Sequence, residues 1–194
     1  TLTKPWVYWR FVSTDDQESI ESYAASAKAA VAAYKAKLTL QEVLTTAESY
    51  YNHSQDNKAA TAKAALQSAI STAITVYESA SATESDVTTQ TNNVTIAIQT
   101  YVMSGAIPDE GYPFDLTFKI TNPSFNNNNA DGWTIIGGKN NGVNNAEYTA
   151  CEFYQQTFDI SQTLSNMPKA IYQLKVQAYE RPGFATTVIP NYVN

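Results

Sequence analysis

The sequence is poor in cysteine, histidine and charge, and each shortage removes a class of chemistry. The single Cys151 excludes an internal disulfide and any thiolate metal cluster. The only histidine, His53, leaves no second imidazole for a zinc site and no Ser–His–Asp arrangement to argue for. Lys and Arg number 12 against 18 acids, giving a net charge of −6 and a pI near 4.7. Neutralising phosphates takes clustered cations, so nucleic acid is not an expected partner. No polybasic run suits an anionic membrane surface, and no apolar stretch approaches the roughly 20 residues a spanning helix needs. Membrane insertion is therefore not expected. No signal-peptide pattern opens the chain, so an exported protein is expected here in its mature form.

What is present is neutral and polar. Charged residues make up 15% of the chain and hydrophobic ones 43%, and tyrosine occurs 13 times. Ser, Thr, Asn and Gln supply most of the polarity. Such surfaces suit extracellular proteins whose ligands are themselves neutral and hydroxylated, sugars above all.

From Ser13 to Ser104 there is neither glycine nor proline, which permits long helices. Thr14-Asp15-Asp16-Gln17 reads as a capping box, and Ile20, Ala24, Ala27, Val31, Tyr34 and Leu38 form one apolar stripe. That register fails after Leu38. A second capping box, Thr39-Leu40-Gln41-Glu42, and a new stripe through Leu40, Val43, Leu44, Ala47, Tyr50 and Tyr51 predict a break near Thr39. A polar turn over Asn52 to Asn57 leads to a third helix through Leu66, Ile70, Ala73 and Tyr77. Ser81-Ala82-Thr83-Glu84 starts a fourth, with Val87, Val94, Ile98 and Tyr101 inward, ended by Gly105 and Pro108. Short loops predict an antiparallel bundle over residues 14–104 in which the tyrosines are core. His53 is expected to be a solvated turn residue. The aromatic segment 1–13, with Trp6, Tyr8, Trp9 and Phe11, is expected to be buried against the bundle or between the halves.

All seven glycines lie from Gly105 onward. Residues 105–113 read as a short ordered linker, and residues 114–194 as a β-rich half. Alternation predicts strands over Asp115 to Thr121, Gly132 to Ile136, Glu147 to Phe153, Gln156 to Ile160 and Ile171 to Tyr179, with Thr186 to Ile189 as a last candidate. Short strands between such turns predict an antiparallel β-sandwich or jelly roll. The fold class expected is thus α then β, a helical bundle followed by a sandwich. Cys151 falls in an alternating segment and is expected to be a buried, inert thiol.

Particular residues in this half carry a resemblance. Asn122-Pro123-Ser124-Phe125, Gly132-Trp133, Gln162-Thr163-Leu164, Met167-Pro168 with Ile171-Tyr172, and Tyr179-Glu180-Arg181-Pro182-Gly183 follow one another in order. The series resembles the galactose-binding-like β-sandwich of surface proteins from gut Gram-negative bacteria. The segment Leu40 to Tyr101 is similar to the small helical repeats beside such modules. Ala170 stands where the pattern has a turn glycine, and residues 114–194 are fewer than such a sandwich takes, so the β half is expected to be incomplete.

The resemblance implies a secreted or cell-surface protein, not an enzyme, that binds polysaccharide or glycoprotein glycan. In such modules aromatic faces stack on sugar rings and polar side chains bond hydroxyls. Trp133, Tyr148 and Tyr154 are the candidate platforms, with Lys139, Asn140, Asn141, Asn144 and Arg181 as polar partners. The competing reading makes Trp133 a core anchor and Arg181 a donor to loop carbonyls. Sandwiches of this type often carry structural calcium and oxygen ligands are plentiful, so a calcium ion has room here; no other cofactor is expected. Glu110, Asp115, Asp131, Glu147, Glu152 and Asp159 offer no spacing that selects a glycosidase pair. The helical half is expected to be a spacer or the surface for a protein partner. The alternatives are a structural or adhesion protein without a sugar site, and an accessory region of a larger glycoside hydrolase.

Overall fold

The structure is a computed structural model, and it describes residues 17–55, 59–125, 130–137, 142–143, 151–153 and 156–178. Three helices dominate it: α1 (Gln17–Asn52), α2 (Ala60–Glu78) and α3 (Glu84–Met103). Pairs of short strands accompany them. β1 (Ser54–Gln55) pairs antiparallel with β2 (Ile107–Pro108), β3 (Thr134–Ile136) with β6 (Asp159–Ser161), and β4 (Gly142–Val143) with β5 (Cys151–Glu152).

The helices run up, down and up around one apolar seam. Leu40, Leu44, Ala47 and Tyr50 of α1 meet Leu66, Ile70 and Ala73 of α2 and Val87, Val94, Tyr101 and Val102 of α3. These are the stripes expected from the second, third and fourth helical segments. Thr83 opens α3 through a reciprocal capping box with Asp86: the Asp86 N–H donates to the Thr83 hydroxyl at 3.2 Å, and the Thr83 N–H to the carboxylate at 2.9 Å. At the same turn, the Lys37 ammonium donates to the Ser79 carbonyl at 2.6 Å, tying the end of α2 to α1.

The break expected near Thr39 does not exist. α1 is one helix of 36 residues, so the bundle has three helices rather than four. The register failure is real but has another cause. At about 100° per residue, Ile20, Val31 and Leu38 lie along one line of the helix, and Leu40, Leu44 and Ala47 lie on the opposite side. The apolar stripe changes face while the backbone hydrogen bonds continue. A break would instead have orphaned backbone groups on both sides of Thr39. The consequence is visible in exposure: Leu40 is fully buried, whereas Ile20, Val31 and Leu38 are 37%, 48% and 41% exposed.

Nor is the expected sandwich or jelly roll seen among the described residues. Among the described residues the sheets have two strands each, and no second sheet covers any of them. Asp115 to Thr121, expected as a half-buried strand, forms instead a 3-10 turn over Thr117–Lys119. The Asp115 carboxylate accepts from the Thr117 N–H at 2.8 Å and from its hydroxyl at 2.6 Å, a local bond that competes with strand pairing. Residues 171–178 join no ladder and are exposed throughout, with Leu174 and Val176 at 62% and 73%. Alternation marks these segments as able to half-bury, and among the described residues no facing layer receives them. Of the other expected strands, Gly132 to Ile136 is met by β3, Gln156 to Ile160 by β6 in part, and Glu147 to Phe153 by β5 over Cys151–Glu152. Thr186 to Ile189 and segment 1–13 lie outside the described residues.

Residues 105–113 are bound to the end of the bundle. Ser54 pairs with Pro108 and Gln55 with Ile107, and the Asp109 N–H donates to the His53 carbonyl at 2.9 Å. Beneath this pairing, the buried Ser54 hydroxyl lies 2.5 Å from both the Tyr50 carbonyl and the Tyr101 phenol. A serine hydroxyl has one proton, and the carbonyl can only accept, so Ser54 donates to Tyr50 and accepts from Tyr101.

Two outcomes separate a continuous α1 from a broken one. Leu40→Ala is expected to cost about 2–5 kcal/mol in urea unfolding, as for a packed core leucine. Leu38→Ala, two residues away on the outer face, is expected to stay within about 0.5 kcal/mol. Equal costs at the two positions would contradict the change of face.

Candidate functional site

The residues that carry the resemblance converge although they are distant in sequence. Gln162, at the end of β6, bonds Thr121 with both ends of its amide: its Oε1 accepts from the Thr121 N–H at 2.7 Å, and its Nε2 donates to the Thr121 carbonyl at 3.0 Å. The same nitrogen donates to the Gly132 carbonyl at 2.9 Å. One side chain thus stands in for a strand neighbour and clasps the chain before Asn122 to the chain before Trp133. β3 and β6 hold the register beneath it, with Ile135 opposite Ile160.

Trp133 sits inside this clasp. Its indole N–H donates to the Asn122 carbonyl at 3.1 Å, and its ring leans on Phe125 at 5.6 Å between centroids. Asn122 and Phe125 both adopt left-handed backbone, at φ 52° and 53°, which turns Asn122-Pro123-Ser124-Phe125 back over the tryptophan. Gly132 is required by the close approach: at φ +85°, a Cβ there would meet the Thr121 methyl carbon at 2.6 Å. Trp133 is half-buried, with its donor committed and one ring neighbour in place. The geometry it serves is that of an anchor.

Of the other expected site residues, Lys139, Asn140, Asn141, Asn144, Tyr148, Tyr154 and Arg181 lie outside the described residues. The structure therefore brings Trp133 together with Asn122, Phe125, Gly132 and Gln162, and says nothing of a shared cleft with the rest. Open aromatic surface occurs elsewhere after the bundle. Phe158 stacks on Phe153 at 3.8 Å with the planes 6° apart, and is still 46% exposed. Tyr172 and Phe118 are exposed to similar extents, and the Tyr172 hydroxyl donates to the Pro168 carbonyl. The strand expected over Gln156 to Ile160 gives Phe158 no role of its own. By alternation Phe158 falls on the same side as Ile160, so nothing in the sequence marks it as a ring that would lie open.

At the bundle end, His53 is half-buried rather than solvated. It lies flat on Tyr112 at 3.6 Å, 7° from parallel. Phe114 packs on Tyr50 at 4.7 Å and on Tyr101 at 6.0 Å, and the Asp115 N–H donates to the Tyr50 hydroxyl at 2.7 Å. Burial pushes the Tyr50 phenol above its ordinary pKa. The Asp115 carboxyl is held below the usual carboxylate range by its bonds from the Thr117 hydroxyl and N–H. The Cys151 thiol is half-buried, and desolvation raises its pKa, which suppresses the reactive thiolate. Among the described residues no three His, Cys, Asp or Glu side chains gather as a metal cluster would require, and no helix is long and apolar enough to cross a membrane.

One further concavity lies on the bundle, an open groove of about 480 Å³ between α1 and the start of α3. Lys28, Val31 and Lys35 line one wall, and Glu84, Thr88 and Thr91 the other. Comparison of the chain with family profiles, curated proteins and solved structures finds no match in any of the three.

Two expectations test the clasp and the junction. Gly132→Ala forces a Cβ onto Thr121 and a side chain into left-handed backbone, so it should cost about 1–3 kcal/mol and speed amide exchange at Thr121. An unchanged exchange rate would remove Gly132 from the clasp. At Asp115 the folded-state pKa is depressed, so its stabilisation is complete above the ordinary carboxylate range, near 4, and is lost as pH falls through the lower folded value. Asp115→Asn should therefore flatten the acid limb of the stability–pH curve, measured by urea unfolding, while leaving the slope around neutral pH unchanged.

Proposed function

We propose that the chain is a non-catalytic binding protein that works outside the cell, secreted or at the surface. The helical bundle is its spacer and protein-partner surface, and the segment after the bundle takes polysaccharide or glycoprotein glycan. The observation that carries this reading is the set of open aromatic rings after the bundle, Phe158 with Phe153 behind it foremost. A sugar ring presents C–H groups on one face and hydroxyls at its rim, and a flat apolar ring beside neutral polar groups fits both. Polar groups flank Phe158 on the same exposed stretch, the neutral Thr157 and Ser161 and the carboxylate of Asp159. The neutral, tyrosine-rich composition supports the same class of ligand.

The anchor geometry of Trp133 changes which residue tests the reading. Trp133→Ala would remove a structural ring and confound binding with folding. Phe158→Ala leaves the clasp in place. In affinity electrophoresis against a panel of neutral polysaccharides, the wild-type chain should be retarded by at least one, and Phe158→Ala should lose most of that retardation with an unchanged far-UV spectrum. Absence of retardation by any polysaccharide, with a glycan array also blank, would leave the structural or adhesion reading in its place.

A further inference from the structure

The outer face of α1 carries an apolar stripe that the other described residues leave largely open. Ile20, Ala24, Ala27, Val31, Tyr34 and Leu38 recur at alternating steps of four and three, which is the seam of a heptad repeat. Between Gln17 and Val31 no residue is buried: Ile20 is 37%, Tyr23 57% and Val31 48% exposed, and Ala24 is exposed as well. The bundle seam of the same helix faces the other way, so α2 and α3 leave the part of this stripe up to Val31 without a buried residue, while Tyr34 beyond it is half-buried.

We propose that this face pairs with the same face of a second copy of the chain, in antiparallel orientation. The inference deepens the partner-surface part of the reading above and does not depend on the glycan part. Charge selects the occupant and its direction. Glu21 flanks the stripe near its start, and Lys28 and Lys35 flank it on the same side further along. With Ala24 against Ala27 of the second copy, Ile20 falls opposite Val31, and Glu21 falls beside Lys28; the two-fold axis repeats each contact. Paired alanines at the centre allow the helices to approach closely. A parallel pair would bring Tyr23 to Lys28 and Ala30 to Lys35 at the flanks, with no ion pair. The antiparallel pair also sets Ile20 of the second copy at Val31, on the rim of the groove that Lys28 and Lys35 line.

Sedimentation velocity of the full chain over a concentration series tests this. The wild type should shift from monomer towards dimer as concentration rises, and higher salt should weaken the dimer. Val31→Glu should remain monomeric with its far-UV spectrum intact, because Val31 supports no contact in the bundle core. Glu21→Lys and Lys28→Glu should each raise the dimer dissociation constant about tenfold, by turning two attractions into two repulsions. The double variant E21K with K28E should restore wild-type association, which a parallel pair or a non-specific patch would not do. A monomer at every concentration overturns the proposal and points to the aromatic segment Trp6 to Phe11, or to a different protein, as the cover. Dimerisation unaffected by Val31→Glu overturns it equally. Polysaccharide retardation reads the other proposal independently, so the two can fail apart.

Discussion

One buried hydroxyl sets the relation between the bundle and the segment that leaves it, as far as Asp115. Ser54 has a single proton, which goes to the Tyr50 carbonyl, so the Tyr101 phenol must donate to Ser54 or lie unsatisfied in a dry interior. Leaving such a group unpaired costs about 1–3 kcal/mol, enough to fix the height of α3 against the end of α1. The β1–β2 pairing follows from that height, and it directs the chain past His53 towards Phe114. Phe114 then closes over both tyrosines, and the Asp115 N–H finds the Tyr50 hydroxyl. The exit path from the bundle is thus specified by polar pairing inside an apolar cluster, where wrong pairings are costly.

The bundle was largely legible in the sequence because its signal is local and repeated. Leu66, Ile70 and Ala73, and Val87, Val94 and Tyr101, are core as their spacing predicts. What was not legible was the meaning of the fault after Leu38. A stripe that fails can mean a helix that ends or a helix that changes partners, and spacing alone treats them alike. The deciding physics is in the backbone. With no glycine or proline near Thr39, continuing costs only the mild penalty of a β-branched residue, whereas ending there requires caps for the freed N–H and C=O groups.

After the bundle the sequence was legible in pairs and misleading in sheets. β3 and β6 form where alternation placed strands, but a strand becomes part of a sandwich only when another layer covers it. Leu116 and Phe118 were counted as one face of a strand; the Asp115–Thr117 bonds curl that segment into a turn first. The candidate site was legible as a set of motif residues and not as a role. Asn122, Phe125, Gly132, Trp133 and Gln162 meet because each solves a local problem of turn, close approach or unpaired backbone. A tryptophan with its N–H committed and a phenylalanine against its ring is held for the clasp, which is why the more open Phe158 bears the binding proposal.

α1 joins these two stories by having two seams on opposite faces. Its second half is locked into the bundle, while its first half carries the open heptad face. If two copies pair about a centre between Ala24 and Ala27, each α1 continues from that centre for about 40 Å before the chain leaves the helix at Asn52. The two exits then stand about 80 Å apart, at opposite ends of the pair. If the segments after the bundle bind glycan as proposed, two of them at such a separation gain little from a short oligosaccharide, which cannot reach both. They gain strongly from a long polysaccharide or a dense glycan surface, where the second contact is made at the effective concentration set by the first. Weak single sites, of the kind an exposed phenylalanine provides, are then sufficient for retention. The stiffness of an unbroken α1 is what would fix that spacing, so under the two proposals together the continuity of the helix through Thr39 bears on binding as well as on the fold.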